Sequence, residues 1–388
     1  MSKVEIGAAY IVAARRTAIG RVGGLHRNRR VEELAVPVVQ SVLADAGIAP
    51  DQIDEIIIGN ATQGGNPARL IALAAGLPER ASAQTIDRQC ASGLEAILAA
   101  ARLVTLGDAD AIVAGGAESL SNAPWRVAKP RSIYQLPRFV PVETVTAETA
   151  EEPQLFEASE DLARQLGITR QQQDDYALRS RRRAASAREA RSFIGEIVPL
   201  RANVEEARDQ SSIDPTLEEM AHAPAFVEPG GTLTQANTSA MHDGAAMVLV
   251  VSERRHAELG RPPALKLVSS AVAGVSPTVE AFAPIEATRK LYTKLNGFRR
   301  DQIRAFELSE TSAAQAIALR DALQLDESIL NAEGGAIARG HPFAASGAVL
   351  VVRLFSRLVR RGNEEARFGV ATQGAIGGLG VAALFEAV

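Results

Sequence analysis

The stretch 84–116, QTIDRQCASGLEAILAAARLVTLGDADAIVAGG, contains one complete strand–helix–strand unit. Gln84–Gln89 is predicted to be extended, Ser92–Leu106 to be helical, and Ala111–Gly115 to be a buried strand. Small aliphatic residues dominate the unit, as they do in parallel strands covered by closely packed helices. The unit therefore predicts an α/β fold built on a mostly parallel sheet with helices on both faces.

The same alternation continues on both sides of this unit. The predicted elements ahead of it are two strands and two helices: Ala8–Ala14, Val31–Ala46, Glu55–Gly59 and Pro67–Ala75. Between about residues 120 and 235 charged and Pro-containing segments predict an inserted subdomain of helices and loops. Its arginine-rich run 170–191 is predicted to be a solvated helix face, with phosphate binding as the alternative. A second series of strands and helices follows from residue 245.

A short repeat links the two series. Cys90-Ala91-Ser92-Gly93 and Ala344-Ala345-Ser346-Gly347 each open a predicted helix that leads to a strand and a Gly-rich turn. The repeat suggests two related halves with the insert in the first half.

The composition of the chain limits the classes of protein to which it could belong. The chain has 388 residues, of which 46% are apolar and 23% charged, with a formal net charge of −4. That charge does not favour nucleic acid as a partner. No stretch approaches ~20 uninterrupted apolar residues, so no membrane span is expected. Residues 1–6 show no leader pattern and Phe385–Val388 is not a peroxisomal signal, so a cytoplasmic location is expected.

Cys90 is the single cysteine of the chain, which excludes an internal disulfide. It ends an extended segment and precedes a predicted helix, so its sulfur is expected near a helix N-terminus, where N–H groups and the helix dipole favour a thiolate. Its small neighbours leave room for a substrate. A nucleophile and a buried structural thiol are both compatible with this context.

His341 lies between two Gly clusters and is followed by Pro342, just ahead of a predicted helix. A neutral imidazole on a rigid turn can deprotonate a thiol, and a histidine that caps a turn is the alternative. The other four histidines show no metal-ligand spacing, so no metal site is predicted. The Gly-rich turn Gly374–Gly380, after a strand, can supply N–H donors to an oxyanion or a phosphate.

Taken in order, these segments resemble the thiolase family. Thr85–Gly93 resembles its nucleophile loop and Gly334–Gly347 its Gly-His-Pro loop. Further matches extend over nearly the whole chain: Arg16–Gly20, Gly59–Arg69, Gly107–Pro124 and Asn237–Ala246. The resemblance implies a five-layered αβαβα fold of two topologically similar halves with an inserted loop domain, assembled as a homodimer or homotetramer. The implied limits are 1–119 and 241–265 for the N-terminal half, 120–240 for the loop domain and 266–388 for the C-terminal half.

The resemblance also implies roles for particular residues. Cys90 would form an acyl-enzyme and His341 would activate it. Ser309 would hold a water in one oxyanion hole, the N–H of Ile376 would belong to the other, and Ser239 would contact pantetheine. Coenzyme A would be a substrate, with no covalently bound cofactor. The implied activity is thiolytic cleavage or Claisen condensation of acyl-CoA or 3-ketoacyl-CoA thioesters, in lipid metabolism.

Three departures from the family pattern bear on mechanism. Gly374 stands where the family has a second, acid–base cysteine, and the chain has no other thiol for that role. Proton transfer at carbon would then depend on His341, Glu310 or water, or on a substrate that decarboxylates. Ser309 stands where the family has an asparagine that holds the oxyanion water. Ala223 stands where family members often have a basic residue near the coenzyme A phosphates.

These observations favour an atypical but working acyltransferase. An ordinary 3-ketoacyl-CoA thiolase in which the missing cysteine is compensated is a close variant. The alternative from another class is a non-catalytic or accessory subunit of the same fold that binds a partner enzyme or an acyl carrier.

Overall fold

The computed structural model describes residues 7–140, 156–201, 207–210, 215–227, 229–362 and 367–388. Residues 1–6, on which the expectation of no leader rests, lie outside this part of the chain, as do portions of the predicted loop domain.

Strands and helices alternate in both halves of the chain. The described strands are β1 (Ala9–Arg16), β2 (Gly20–Arg21), β3 (Glu55–Gly59), β4 (Ser82–Ile86), β5 (Ala111–Glu118), β6 (Val127–Ala128), β7 (Arg138–Phe139), β8 (His242–Ser252), β9 (Leu265–Gly274), β10 (Ile303–Leu308), β11 (Phe368–Ala375) and β12 (Leu379–Ala387). The described α-helices are α1 (Val31–Ala46), α2 (Pro67–Ala74), α3 (Ser92–Leu106), α4 (Glu157–Leu166), α5 (Arg170–Glu189), α6 (Leu217–His222), α7 (Glu253–Glu258), α8 (Ala283–Lys294), α9 (Ala313–Leu323), α10 (Ala336–Arg339) and α11 (Ser346–Phe355).

The strands form two half-sheets with the same pairing pattern. In the first half the order is β4-β3-β5-β8-β1, and in the second it is β10-β11-β12-β9. Both halves share a parallel pair (β3–β5, β10–β11) followed by two antiparallel pairs (β5–β8 and β8–β1, β11–β12 and β12–β9). The first half has one further parallel pair, β4–β3. The half-sheets meet at β1 and β9 through only two residue pairs, Tyr10 with Lys266 and Ile11 with Leu265.

The sheet is mixed, so the prediction of a mostly parallel sheet was wrong. Chain reversals explain the difference. β12 follows β11 after only three residues, and so short a link can join only antiparallel neighbours. β8, which enters after the loop domain, likewise runs antiparallel to both of its neighbours.

Alternating side chains on each half-sheet pack into different cores. Ile56 and Ile58 of β3 lie in the core beneath α1 and α2, whereas Ile57 faces a central core shared with α3 and α11. The second half-sheet faces α3 and α11 on one side and α8 and α9 on the other. The result is five layers: helices, sheet, helices, sheet, helices. The fold class predicted from the sequence is confirmed.

The central helices α3 and α11 approach very closely at the two repeat segments. A Cβ on Gly93 would stand 2.5 Å from the carbonyl oxygen of Ala344, and a Cβ on Gly347 would stand 2.6 Å from the backbone nitrogen of Leu94. Only glycine allows this approach, which brings the start of both central helices, and therefore both halves, to one place.

One described stretch, Gln89–Leu106, is long and apolar enough to cross a membrane, with a mean hydropathy of 1.2. It comprises α3 and the residues that lead into it, and 67% of it is buried inside the protein. Its apolar character is accounted for by its place between the two half-sheets.

Candidate active site

Cys90, His341 and the Gly-rich turn line one cavity of about 220 Å³ between the loop domain and the two halves. The two residues are 251 positions apart in the sequence, and the fold brings them to a common wall. The loop domain contributes a stacked aromatic pair, Phe156 and Phe226, whose ring centroids are 5.0 Å apart. The remaining lining residues come from both halves and the loop domain: Ser159, Gln235, Thr238, Ser239, Ala240, Met241, Glu280, Ala281, Thr311, Gln315, Phe343, Gly374, Ala375 and Ile376.

The backbone around Cys90 is held in a sharp turn just before α3. Gln89 has a positive φ of 51°, which turns the chain between the strand and the helix. Ser92 closes the turn: its hydroxyl donates to the carbonyl of Gln89 at 2.5 Å and accepts from the N–H of Arg88 at 2.8 Å. From the second half, Gln373 Nε2 donates to the carbonyl oxygen of Cys90 at 2.6 Å. The thiol therefore has a defined position at the helix start, as predicted.

The electrostatic environment of Cys90 favours the thiol over the thiolate in the absence of substrate. Burial, reinforced by the negative charge of Glu280, raises the pKa of Cys90 to about 12. The backbone N–H groups of Ile376 and of Cys90 itself point at the sulfur and act in the opposite direction on its pKa. Two N–H donors thus converge on the place where negative charge would form.

His341 is fixed by its backbone and by one ring nitrogen. Its N–H donates to Ala240 at 2.9 Å, and its carbonyl accepts from the N–H of His242 at 2.9 Å. The ring Nδ1 lies 2.8 Å from the hydroxyl of Ser346 and 3.4 Å from that of Ser309. Because these contacts use Nδ1, Nε2 is the ring nitrogen that can exchange a proton with a group in the cavity.

The imidazole is neutral at physiological pH. Burial, with a smaller contribution from the neighbouring His242, lowers the pKa of His341 to about 4. The hydroxyl of Ser346 can donate to Nδ1 or accept from it, so either tautomer is satisfied. Nε2 can therefore accept a proton in one tautomer and donate a hydrogen bond in the other. A general base that later returns its proton needs both abilities.

The structure separates the other predicted site residues into two groups. Ile376 and Ser239 line the cavity, and the Ser239 hydroxyl donates to the carbonyl of Thr311 at 3.3 Å. Ser309 is buried beside the His341 ring and does not line the cavity. It contacts Nδ1, the nitrogen that Ser346 also binds. The oxyanion role of Ser309 stays a prediction.

Glu310 is not available to the cavity. Its carboxylate accepts hydrogen bonds from the Tyr176 hydroxyl at 3.0 Å, the Ser180 hydroxyl at 2.8 Å, Asn331 Nδ2 at 2.7 Å and the N–H of Ile337 at 3.1 Å. These bonds attach the loop domain to the second half. The hypothesis that Glu310 exchanges protons with substrate is therefore not supported by the geometry.

Glu118 is a second buried carboxyl group, near the nucleophile loop, that the sequence pattern did not indicate as functional. It accepts hydrogen bonds from Asn60 Nδ2 at 2.9 Å and from the N–H groups of Ala61 and Thr62, both at 3.2 Å. Burial raises its pKa to about 7, although these bonds oppose the rise. These hydrogen bonds connect two of the segments that resemble the thiolase family, Gly59–Arg69 and Gly107–Pro124. Among the described residues there is no cluster of side chains suited to a metal ion.

Comparisons with known proteins agree with this geometry. The thiolase N-terminal domain model matches residues 9–254, and the thiolase C-terminal domain model matches residues 261–387. The acetyl-CoA acetyltransferase of Cupriavidus necator is 35% identical over 396 residues, covering 97% of this chain and 98% of the relative. The chain belongs to the thiolase family.

Two solved structures match the whole fold. The Bacillus anthracis acetyl-CoA acetyltransferase superposes with a TM-score of 0.92 at 34% identity, covering 100% of both chains. The human mitochondrial 3-ketoacyl-CoA thiolase superposes with a TM-score of 0.90 at 28% identity, covering 99% of this chain and 100% of the other. The protein is an acyltransferase of the thiolase type, and the hypothesis of a non-catalytic subunit is not favoured.

Proposed function

We propose that this protein transfers acyl groups between coenzyme A and Cys90 and makes or breaks the C2–C3 bond of 3-ketoacyl-CoA thioesters. The observation that carries the proposal is the arrangement in one cavity of the Cys90 sulfur, the N–H donors directed at it and the His341 imidazole. Relatives named acetyl-CoA acetyltransferase and 3-ketoacyl-CoA thiolase support the choice of substrate class.

Acylation starts from a neutral thiol and a neutral imidazole. His341 Nε2 takes the thiol proton as the sulfur attacks the thioester carbonyl carbon, and the imidazolium then protonates the departing coenzyme A sulfur. The raised pKa of Cys90 and the lowered pKa of His341 mean that the free enzyme does not store a thiolate. Proton transfer is therefore coupled to attack on the bound thioester, and the free thiol should react only slowly with other electrophiles.

The developing oxyanion has donors already in place. The N–H groups of Ile376 and Cys90 act on the Cys90 sulfur, and we expect them to bind the acyl oxygen on the carbon that becomes bonded to that sulfur. Preorganised backbone donors of this kind contribute about 3 kcal/mol each to the stability of a tetrahedral intermediate. Because the donor is a backbone N–H, it does not depend on the isoleucine side chain of Ile376.

The outer part of the cavity suits the pantetheine arm of coenzyme A. Phe156 and Phe226 provide an apolar wall of the cavity. Ser239 provides a polar contact. An apolar channel with few polar contacts is typical of sites that bind long flexible ligands. We infer that a CoA-linked acyl group enters beneath the loop domain.

The single cysteine makes acylation easy to test. Incubation with acetyl-CoA and longer acyl-CoA thioesters should add one acyl mass to the intact protein, removable by hydroxylamine, and Cys90→Ser should show no increment. His341→Asn should acylate about 10²–10⁴-fold more slowly, because the general base is lost. An unmodified Cys90 across the acyl panel would overturn the proposal.

We also infer a cytoplasmic homodimer or homotetramer that acts in lipid metabolism. Two surfaces support the assembly. β4 is an edge strand, with no neighbouring strand on one side among the described residues. The hairpin β6–β7 and its loop expose large apolar side chains that a second copy would cover: Trp125, Val127, Ile133, Tyr134, Leu136 and Phe139. Light scattering on the purified protein tests this, and a monomer at micromolar concentration would contradict it.

A further inference from the structure

The cavity contains a carboxyl group that the mechanism above does not use. Glu280 lies in the short turn Pro277–Phe282 that precedes α8, and it lines the cavity together with Cys90 and His341. It is the only carboxylate among the described residues that line this cavity. In the sequence it is a lone acid among apolar residues, which is why the pattern alone gave it no role.

The carboxylate is held at the Gly-rich turn. The N–H of Gly377 donates to Glu280 Oε2 at 2.9 Å. Gly377 adjoins Ile376, whose N–H points at the Cys90 sulfur. The bond to Gly377 therefore fixes one oxygen of Glu280 close to the nucleophile.

Gly374 lies two residues before Ile376, near the end of β11. A Cβ placed on Gly374 would meet Pro284 Cδ at 3.1 Å and Gln315 Nε2 at 3.3 Å, so a side chain there would require both neighbours to yield slightly. Pro284 and Glu280 belong to the same segment that enters α8. Glu280 and Gly374 thus line the same cavity, and Pro284, four residues after Glu280, packs against Gly374.

Carbon–carbon chemistry at a thioester needs a group that exchanges a proton with the α-carbon. His341 is required for the sulfur proton, and Glu310 is occupied outside the cavity. Burial raises the pKa of Glu280 while the N–H groups of Gly377 and Gly378 lower it, and the net direction is upward. A carboxyl group with a raised pKa is a better proton acceptor near neutral pH than an ordinary one.

We propose that Glu280 is the acid–base residue of the carbon–carbon step, acting in the same cavity in which Gly374 supplies no thiol. In condensation, Glu280 takes a proton from the α-carbon of acetyl-CoA. The electron pair of that C–H bond forms a C–C bond to the acyl carbon on Cys90. The C–S bond to Cys90 then breaks, and the departing sulfur receives, through the neutral His341 imidazole, the proton that Glu280 took from carbon.

Cleavage is the reverse sequence. The Cys90 sulfur attacks C3 of a 3-ketoacyl-CoA, and its proton passes through His341 to the Glu280 carboxylate. The C2–C3 bond breaks with its electron pair on C2, and the protonated Glu280 delivers a proton to C2. The inference rests on the proposed acylation of Cys90, and it adds the residue that exchanges a proton with the α-carbon.

The test compares Glu280→Gln with the wild type and with Glu286→Gln, a control at an exposed carboxylate on α8. Glutamine keeps the oxygen that accepts from Gly377 but cannot take a proton. Three readouts are followed: the acyl mass on Cys90, the exchange of acetyl-CoA α-hydrogens in D₂O, and acetoacetyl-CoA cleavage. We expect Glu280→Gln to acylate at least as fast as the wild type but to lose exchange and cleavage by about 10²–10⁴-fold.

The readouts separate the two proposals. If the wild type takes up no acyl group on Cys90, the proposed function fails, and this inference fails with it. If Glu280→Gln exchanges α-hydrogens as fast as Glu286→Gln does, only this inference is overturned. A loss of acylation and exchange together in Glu280→Gln would also overturn it, because Glu280 would then act through the nucleophile and not on carbon.

Discussion

Gln373 Nε2 donates a hydrogen bond of 2.6 Å to the carbonyl oxygen of Cys90, which joins the second half of the chain to the nucleophile of the first. Gln373 is fully buried in β11. Because the bond crosses between the halves, the position of the sulfur depends on how the two halves pack.

Gln373→Leu should therefore slow acylation with little change of fold. Loss of the donor leaves the Cys90 carbonyl unpaired, and a shift of the sulfur by about 1 Å can cost about 10²-fold in rate. Stopped-flow acylation by acetyl-CoA measures the change, with exposed Gln302→Leu as the control. Equal rates for the two variants would show that Gln373 does not position the nucleophile.

The pH dependence of Cys90 alkylation follows from its raised pKa. With a pKa of about 12, the thiolate fraction rises with pH through the whole range in which the protein can be handled. Iodoacetamide should therefore inactivate about tenfold faster for each pH unit, with no plateau below about pH 10. A plateau near neutral pH would mean that the free enzyme stores a thiolate.

The charge of Glu280 is one cause of that high pKa, so Glu280→Gln should lower the pKa of the thiol. At any one pH the variant should be alkylated faster than the wild type. Glu286→Gln, whose carboxylate is exposed, should match the wild type. Slower alkylation of Glu280→Gln would show that the carboxylate does not repel the thiolate.

Gly93→Ala should be strongly destabilising. Its new methyl group would stand 2.5 Å from the carbonyl oxygen of Ala344, and backbone cannot move away as a side chain can. We expect a loss of about 1–3 kcal/mol in the free energy of unfolding, together with reduced acylation. Gly274→Ala, where no atom lies within 4 Å of the added Cβ, is the matched control. Similar urea midpoints for both variants would contradict the close approach of α3 and α11.

A buried ion cluster should make stability sensitive to acid. Glu196 is fully buried between Arg16, at 2.7 Å, and Arg353. Burial opposes its ionisation, but the charges of Arg353 and Arg16 outweigh burial and lower the pKa of Glu196 to about 2. Its contribution is therefore complete above the ordinary pKa of 4.5 and is lost as the pH falls from there through about 2.

Glu196→Gln tests the cluster at neutral pH. Removing the central charge leaves the two buried arginines with only Asp209 and Glu333 as carboxylate partners, at a cost of about 1–3 kcal/mol in the free energy of unfolding. The exposed pair of Glu286 and Arg289 is the contrast, since Glu286→Gln should cost less than about 1 kcal/mol. Urea titration at neutral pH measures both, and equal losses would contradict the buried role of Glu196.

Local patterns in the sequence determined much of the secondary structure. The helices Val31–Ala46 and Ser92–Leu106 and the strand Glu55–Gly59 have the bounds that periodicity predicts. Hydrophobic spacing and capping act between neighbours in the chain, so a single sequence carries them fully. The same local context singled out Cys90 and His341, because a thiol before a helix and a histidine between glycines are features of short segments.

What surrounds those two residues was decided by the tertiary structure. The antiparallel return strands, the bond from Gln373 to Cys90, the Ser346 hydroxyl on His341 and the carboxylate of Glu280 at the Gly-rich turn were not foreseen. Most of these depend on elements far apart in the chain and on the packing of two half-sheets through glycine. Side chains that meet only after such packing leave no periodic signal in the sequence, since their separation along the chain is unrelated to their distance in space.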